Sequence, residues 1–342
     1  MTTNRLSTAT HLNRNGRDTD RFTGTMRKGT LLLLVGLVLL PNLLRAEIPG
    51  TLPLACSREK WRPLYDRVDP ALQHGLETAL RENEAWRALI DRGKLAVGLV
   101  DLSDPSQPRY ARVNGRKMMY AASLPKIAIL LAAFVSFEDG SLERSPEVME
   151  DLNIMIRKSD NAAATRMIDR MGMQKIGSVL RDPRYRLYDK TRGGGLWVGK
   201  RFAKEGKRFP DPLTGLSHGA TVLQVCRFYY LLAYGRIISP EASREMLEIL
   251  SDPGLHHKFV GVLEERAPLA RLFRKSGTWR IWHSDSVLVW DPVWRRYILA
   301  AMVECNEGEQ ILRDLVPVVE QILHGEESFA VTGQAVWPGS GR

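Results

Sequence analysis

Ser123-Leu-Pro-Lys126 opens a strongly apolar run, Ile127 to Phe134, and this pairing constrains the fold more than any other part of the sequence. Such an unbroken apolar run predicts a helix that is buried on all sides. Pro125 suits the first helical turn, where a backbone N–H has no partner to lose. On a helix, Ser123 and Lys126 would share a face, since residues three apart are neighbours. The four residues alone are also typical of an ordinary helix start with serine as the N-cap.

Two further short motifs follow along the chain. Ser159-Asp160-Asn161 precedes an alanine-rich segment, and Lys275-Ser276-Gly277-Thr278 lies in a strand-like segment. Taken singly, the first is also typical of a helix cap and the second of a plain surface strand. The three motifs occur in this order in serine enzymes that act on β-lactams and on peptidoglycan stem peptides. From about residue 75 to 325 the chain therefore resembles the class A β-lactamase and penicillin-binding protein superfamily.

The resemblance implies roles for eight residues. Ser123 would attack a carbonyl to form an acyl-enzyme, Lys126 would be its base, and Ser159 would relay a proton to the leaving nitrogen. Backbone N–H groups of Ser123 and Thr278 would form an oxyanion hole. Glycine in the third motif would let the acyl chain pair with the strand. The residues expected to bind substrate are Asn161, Lys275, Ser276, Gly277 and Thr278. Burial near a second lysine should lower the pKa of Lys126. No metal or organic cofactor is implied.

The chain departs from the class A pattern between the second and third motifs. No Glu-x-x-Leu-Asn sequence, which supplies the deacylating base of class A enzymes, occurs there. The single glutamate of residues 189–218 is Glu205, which is either a substitute base or a solvated loop charge. Without such a base, water has no obvious activator and the acyl-enzyme should be long-lived. Arg280 is a further candidate for carboxylate binding, whereas His283 is expected to be structural.

The hydrophobic patterns alternate between helix and strand along the chain. Helical periodicity is found over 71–92, 255–264 and 310–323. It also covers 146–172, as one or two helices around the Ser-Asp-Asn loop, and 221–250, with an interruption near Gly235. Strand-like segments cover 94–102, 108–113, 272–279, 284–290 and 296–305. The prediction is an α+β fold: an antiparallel five-stranded sheet flanked by helices, with strands from both chain ends and an inserted all-helical subdomain. This is also the β-lactamase/transpeptidase-like architecture that the resemblance implies.

The N-terminal residues predict export. Met26-Arg27-Lys28 precedes an apolar core, Leu31 to Leu40, which Pro41 ends. We therefore expect residues 1–46 to be an N-terminal extension and signal peptide, 47–330 the hydrolase domain, and 331–342 a loose tail. The location would be periplasmic or secreted, with a membrane contact only if the signal stays uncleaved as an anchor. Met26 is an alternative start.

The charge of the chain does not indicate a nucleic-acid partner. The net charge is +10, but outside residues 1–46 it is only +5, and the sequence has no basic stripe with interleaved aromatics of the kind that binds nucleic acid.

The three cysteines do not indicate a metal site. They are Cys56, Cys226 and Cys305, and no pair has metal-ligand spacing. Cys226 and Cys305 are expected to be buried free thiols, and a disulfide between them is the alternative in an oxidising compartment.

The sequence thus predicts an exported active-site serine hydrolase that forms an acyl-enzyme on Ser123 with a small β-lactam or related amide. One alternative is a D,D-peptidase-like or esterase enzyme acting on a peptidoglycan-like or other substrate. Another is a slowly deacylating penicillin-binding or peptidoglycan-sensing module.

Overall fold

Ten strands form three antiparallel sheets within residues 51–54 and 61–325, the part of the chain that the computed structural model describes. In chain order they are β1 (Leu95–Asp101), β2 (Arg109–Val113), β3 (Met119–Tyr120), β4 (Tyr188–Asp189), β5 (Gly194–Gly195), β6 (Trp197–Val198), β7 (His218–Ala220), β8 (Arg271–Trp279), β9 (Trp282–Trp290) and β10 (Arg296–Glu304). The main sheet has the order β2–β1–β10–β9–β8, and every neighbouring pair is antiparallel. The predicted five-stranded antiparallel sheet is confirmed.

Helices pack on both faces of this sheet. In the described residues they are α1 (Pro70–Glu82), α2 (Glu84–Asp91), α3 (Lys126–Glu138), α4 (Pro146–Arg157), α5 (Asn161–Met171), α6 (Met173–Arg181), α7 (Val222–Ala233), α8 (Pro240–Leu250), α9 (Phe259–Arg266) and α10 (Gly308–His324). The helices α3 to α9 lie in the chain between the first two and the last three strands of the main sheet, as predicted.

The alternation of side chains along each central strand explains why both faces are covered. On β10, Ile298 and Ala300 belong to the apolar core that contains α3 and α7, whereas Leu299 and Ala301 belong to the core that contains α1 and α10. Because successive strand residues point to opposite faces, a strand that is apolar throughout requires a helix layer on each side. The first of these layers carries the nucleophile region.

Two predicted helices have different bounds in the structure. The segment 71–92 is two helices, because the Asn83 side chain accepts a hydrogen bond from Trp86 N at 3.1 Å and caps a new helix there. The helix predicted over 255–264 begins only at Phe259. Lys258, which precedes it, has φ +55°, a left-handed conformation that a right-handed helix excludes.

Cys226 and Cys305 are both free thiols, so the disulfide alternative is wrong. Cys226 is buried on α7 as predicted, but Cys305 is partly exposed and its Sγ donates to Glu307 Oε2 at 2.8 Å. Cys56, the export segment and the tail 331–342 lie outside the described residues. Within those residues no helix combines the length and the apolar character needed to cross a membrane.

Candidate active site

Ser123 lies in a tight turn between β3 and α3. The turn is closed by hydrogen bonds from Leu124 N to Ala121 O at 3.0 Å and from Lys126 N to Ser123 O at 3.2 Å. Ala122 is held at φ +48°, a left-handed conformation that costs a residue with a side chain on the order of 1–3 kcal/mol. The serine therefore stands half-buried just before the helix begins at Lys126.

Lys126 is fully buried and surrounded by hydrogen-bond acceptors. Its Nζ donates to Ser159 O at 2.6 Å and to Asn161 Oδ1 at 2.8 Å, with Ser159 Oγ at 3.4 Å. The ring of Phe202 lies 4.6 Å from the same nitrogen. Burial lowers the pKa of Lys126 to about 7, against the smaller opposing effect of the Asp160 charge. About half of the molecules then carry a neutral amine near pH 7.

The Ser-Asp-Asn loop places its first and third residues toward Lys126 by using the second as a helix cap. Asp160 Oδ1 accepts a hydrogen bond from Ala163 N at 2.6 Å and so begins α5. Ser159 has φ +57°, which turns the chain sharply before the cap. The same three residues therefore serve two purposes. Asp160 caps the helix, while Ser159 and Asn161 contact Lys126.

Lys275 on β8 completes this cluster. Its Nζ donates to Ser159 Oγ at 2.9 Å and to Ser276 O at 2.7 Å, and its side chain is fully buried. Burial, with the charge of Lys126 as a smaller cause, holds the pKa of Lys275 well below its usual range. Ser159 Oγ thus lies between two lysine amines, as a proton relay requires.

Gly277 lets β8 approach the nucleophile turn closely. A Cβ at this position would lie 2.3 Å from Ala121 O and 2.6 Å from Ser123 N, which is closer than real Cβ contacts come. The structure therefore shows a requirement for glycine that the sequence alone did not reveal, because any side chain at this position would push the strand away from the serine. Thr278, the next residue, is exposed to the cleft.

Lys258 is a site neighbour that the sequence did not predict. It is fully buried behind β8, where its Nζ donates to Gly277 O at 2.8 Å and Thr278 Oγ1 at 2.7 Å. Burial lowers its pKa to about 8. No motif marks this residue, because a lysine in a loop before a helix is most often solvated.

The cleft in front of Ser123 has a volume of about 980 Å³. Tyr120, Phe202, His218, Trp279 and Trp282 give it aromatic walls. Burial lowers the pKa of His218 to about 4, so its ring is neutral near pH 7, and its Nε2 lies 3.1 Å from Lys200 O. Sequence reasoning missed both Phe202 and His218, since their position depends on how the loop 199–217 folds over the cleft.

Three other residues considered from the sequence lie at or beyond the cleft margin. Glu205 is exposed and does not line the cleft. Arg280 is exposed and lies over the Trp279 ring at 5.7 Å, while His283 is buried. In the part of the chain described here, no group of His, Cys, Asp or Glu side chains is placed to hold a metal ion.

Solved structures share this fold at low identity. A β-lactamase from Sphaerobacter thermophilus is 19% identical with a TM-score of 0.56, covering 73% of this chain and 95% of its own. The class A β-lactamase reconstructed as the last common ancestor of Gram-negative bacteria is 16% identical with a TM-score of 0.56, covering 70% and 98%. The protein PBP-A is 19% identical with a TM-score of 0.54, covering 79% and 97%.

The sequence itself also matches a family model. No curated protein sequence matches the chain. The model described as the beta-lactamase enzyme family matches residues 147–321, which run from α4 to α10 and include the Ser-Asp-Asn and Lys-Ser-Gly-Thr motifs. This match spans half of the chain and agrees with the fold. The chain belongs to the beta-lactamase enzyme family.

Proposed function

We propose that this protein is an exported serine hydrolase in which Ser123 attacks a β-lactam or related amide and forms an acyl-enzyme. The observation that carries the proposal is the buried Lys126, three residues from the serine, with a pKa near 7. A base with that pKa is half neutral at physiological pH and can accept a proton there. Export rests on the pattern of residues 26–46 alone.

The contacts of Lys126 favour a free lone pair on its neutral form. A neutral amine has two N–H donors and one lone pair, whereas the ammonium has three donors. Ser159 O and Asn161 Oδ1, at 2.6 and 2.8 Å, would take both donors of the neutral amine. The third neighbour, Ser159 Oγ, is farther away at 3.4 Å, so in this proposal the lone pair of the neutral amine takes the proton of Ser123, as an activated serine needs.

Acylation would proceed in balanced steps. Ser123 Oγ loses its proton to Lys126 Nζ as the C–O bond forms, and the tetrahedral oxyanion is stabilised by the N–H groups of Ser123 and Thr278. The C–N bond then breaks, and Ser159 Oγ gives its proton to the leaving nitrogen. Lys126, now protonated, restores the Ser159 proton, with Lys275 Nζ 2.9 Å from the same oxygen.

The third motif would bind the carboxylate of the substrate. Lys275 already donates to Ser159 and to Ser276 O, and burial lowers its pKa. A carboxylate bound nearby would raise that pKa and favour the charged amine, so the effect of Lys275 on an anion would be electrostatic. The hydroxyl of Thr278 is exposed to the cleft, where it can donate to a carboxylate while accepting from Lys258. Asn161 would hold the side-chain amide of the substrate through its own amide group.

One feature favours the slowly deacylating alternative. The single carboxylate among the cleft-lining residues is Glu304, which pairs with Lys94 at 2.9 Å. Phe202 and not a carboxylate covers Lys126. Hydrolysis of an acyl-enzyme needs a base that activates water, and these neighbours supply no free carboxylate for that role. A mutant of PBP-A, one of the similar structures, has been solved as an acyl-enzyme complex with penicillin G. A lasting adduct here would fit a penicillin-binding or peptidoglycan-sensing role.

Intact mass measurement after mixing the purified chain with benzylpenicillin and with a cephalosporin tests the proposal. A persistent adduct that is absent from Ser123→Ala would support the nucleophile and the slow-deacylation role. Rapid drug loss without an adduct would indicate β-lactamase turnover. Neither adduct nor drug loss would overturn the β-lactam assignment and leave a peptidase-like or esterase activity to be assayed.

A further inference from the structure

The loop between β6 and β7, residues 199–217, lines the cleft with positive charge. Four of its basic residues face the cleft, and Lys117 faces it from the turn before β3. The four are Lys200, Arg201, Lys204 and Arg208. Five basic side chains thus line one cleft.

The loop is fixed to the body of the domain. Its base is closed by hydrogen bonds from Gly199 N to Ser217 O at 2.6 Å and from Phe209 N to Gly199 O at 2.7 Å. Close to the start of the loop, Arg201 forms an ion pair with Asp169 of α5 at 2.6 Å. Lys200 Nζ donates to Lys204 O at 2.8 Å, which fixes the amine near the cleft wall. The side chains of Lys200 and Arg201 are therefore held in place before any ligand arrives, which favours preorganised binding.

These charges are not neutralised locally. Among the described residues, Lys117, Lys200, Lys204 and Arg208 have no carboxylate within ion-pair distance. The acid of the cleft, Glu304, is already paired with Lys94. A cleft lined by one sign of charge concentrates ligands of the opposite sign and raises their association rate.

We propose that the loop 199–217 binds a second acidic group of the substrate, so that the preferred substrate carries two anionic groups on an aromatic or apolar body. This inference rests on the proposed acylation of Ser123. One acid would be held on β8 by the third motif. The loop contacts α5 through Arg201 and Asp169, and its Phe202 ring lies over Lys126, which donates to Asn161. Asn161 is the residue proposed to hold the side-chain amide of the substrate, so the second acid would lie on the acyl side chain.

The apolar part of the cleft supports the same substrate class. Tyr120 and Trp282 lie edge to face at 5.6 Å, and Phe202 packs against His218 at 4.2 Å. These rings lie among the basic residues that line the same cleft. An acyl group with an apolar body and an acidic branch would meet both surfaces together.

Carbenicillin and benzylpenicillin test this inference because they differ by one carboxylate on the acyl side chain. The second-order rate of Ser123 acylation is measured for each by intact mass at low salt. We expect carbenicillin to react at least about threefold faster, as expected for attraction into a basic cleft. The ratio should fall toward one in the triple variant Lys200→Gln, Lys204→Gln, Arg208→Gln. The exposed Lys204 gives two graded tests that leave the core intact. Lys204→Gln should lower the ratio by less than the triple variant does, and Lys204→Glu, which shifts the charge by two units, should lower it further than Lys204→Gln.

Lys207→Gln is the matched control, since it removes the same charge from the same loop at a residue that does not line the cleft. It should leave the ratio unchanged. Equal rates for the two drugs, or a ratio that Lys207→Gln lowers as much as Lys204→Gln, would overturn the inference while leaving the acylation of Ser123 standing. Failure of both drugs to acylate would instead refute the proposed function.

Discussion

Asn161→Asp tests whether Lys126 is the base. The Asn161 amide oxygen lies 2.8 Å from Lys126 Nζ, and aspartate places a negative charge there with little change of shape. An opposite charge so close favours the ammonium and raises a lysine pKa by about 1–3 units. A rise of about two units would carry the Lys126 pKa from about 7 to about 9. The neutral fraction at pH 7 would fall from about one half to about 1%, which predicts a roughly fiftyfold slower acylation.

The assay is the rate of Ser123 acylation by benzylpenicillin from pH 5.5 to 10. The wild-type rate should rise through pH 7 and level off, because only the neutral amine accepts the serine proton. The acylation rate of the variant should rise at a pH about two units higher, whatever the value of its plateau. Asn153→Asp on α4, where the amide donates to Met149 O, is the matched control and should keep the wild-type midpoint. An unchanged midpoint in Asn161→Asp would refute the assignment of Lys126 as the base.

Three further outcomes follow from the residues around β8. Gly277→Ala should lower acylation by at least about a hundredfold, since its Cβ would lie 2.3 Å from a backbone oxygen of the nucleophile turn; near-normal acylation would contradict that clash. Lys258 has a folded pKa of about 8, below its ordinary 10.5, so its contribution to stability is complete above about pH 10.5 and is lost as the pH falls through 8. The melting temperature of Lys258→Met should therefore rise less than that of the wild type between pH 8 and 10, and parallel curves would argue against the lowered pKa. Asp285→Ala should cost about 3–5 kcal/mol in the free energy of unfolding, because it leaves the buried Arg274 guanidinium unpaired. Asp91→Ala breaks an exposed pair and should cost less than about 1 kcal/mol by urea denaturation, so equal losses would contradict the role of burial.

The motifs predicted which side chains meet. The structure brings residues of all three segments together: Lys126 donates to Ser159 and Asn161, and Lys275 donates to Ser159. Their juxtaposition could be predicted because each motif is short and its local geometry, a helix start, a cap and a strand, follows from the residues themselves. The sheet was predictable for a similar reason, since its strands are long and apolar throughout.

The residues that surround the motifs were not predictable. Phe202 reaches Lys126 only because the loop 199–217 folds across the cleft, and a loop rich in Gly, Pro and Lys has no periodic signal. Lys258 is buried by the packing of α9 against the sheet, which sequence patterns do not specify. The break at Asn83 was missed because apolar residues keep their helical spacing across it, while the cap depends on one side-chain hydrogen bond.

The pairing of β1 with β10 has a consequence for synthesis of the chain. Leu95 pairs with Val303 and Asp101 with Tyr297. The ribosome therefore adds about 200 residues after β1 before β10, its partner strand, has been synthesised. Contacts so distant in sequence form slowly. Any ribosomal product that stops before Arg296 would present β1 as a long apolar strand with an open edge, which is prone to aggregate. Truncated chains should therefore be found in the insoluble fraction, even when they contain all three motifs.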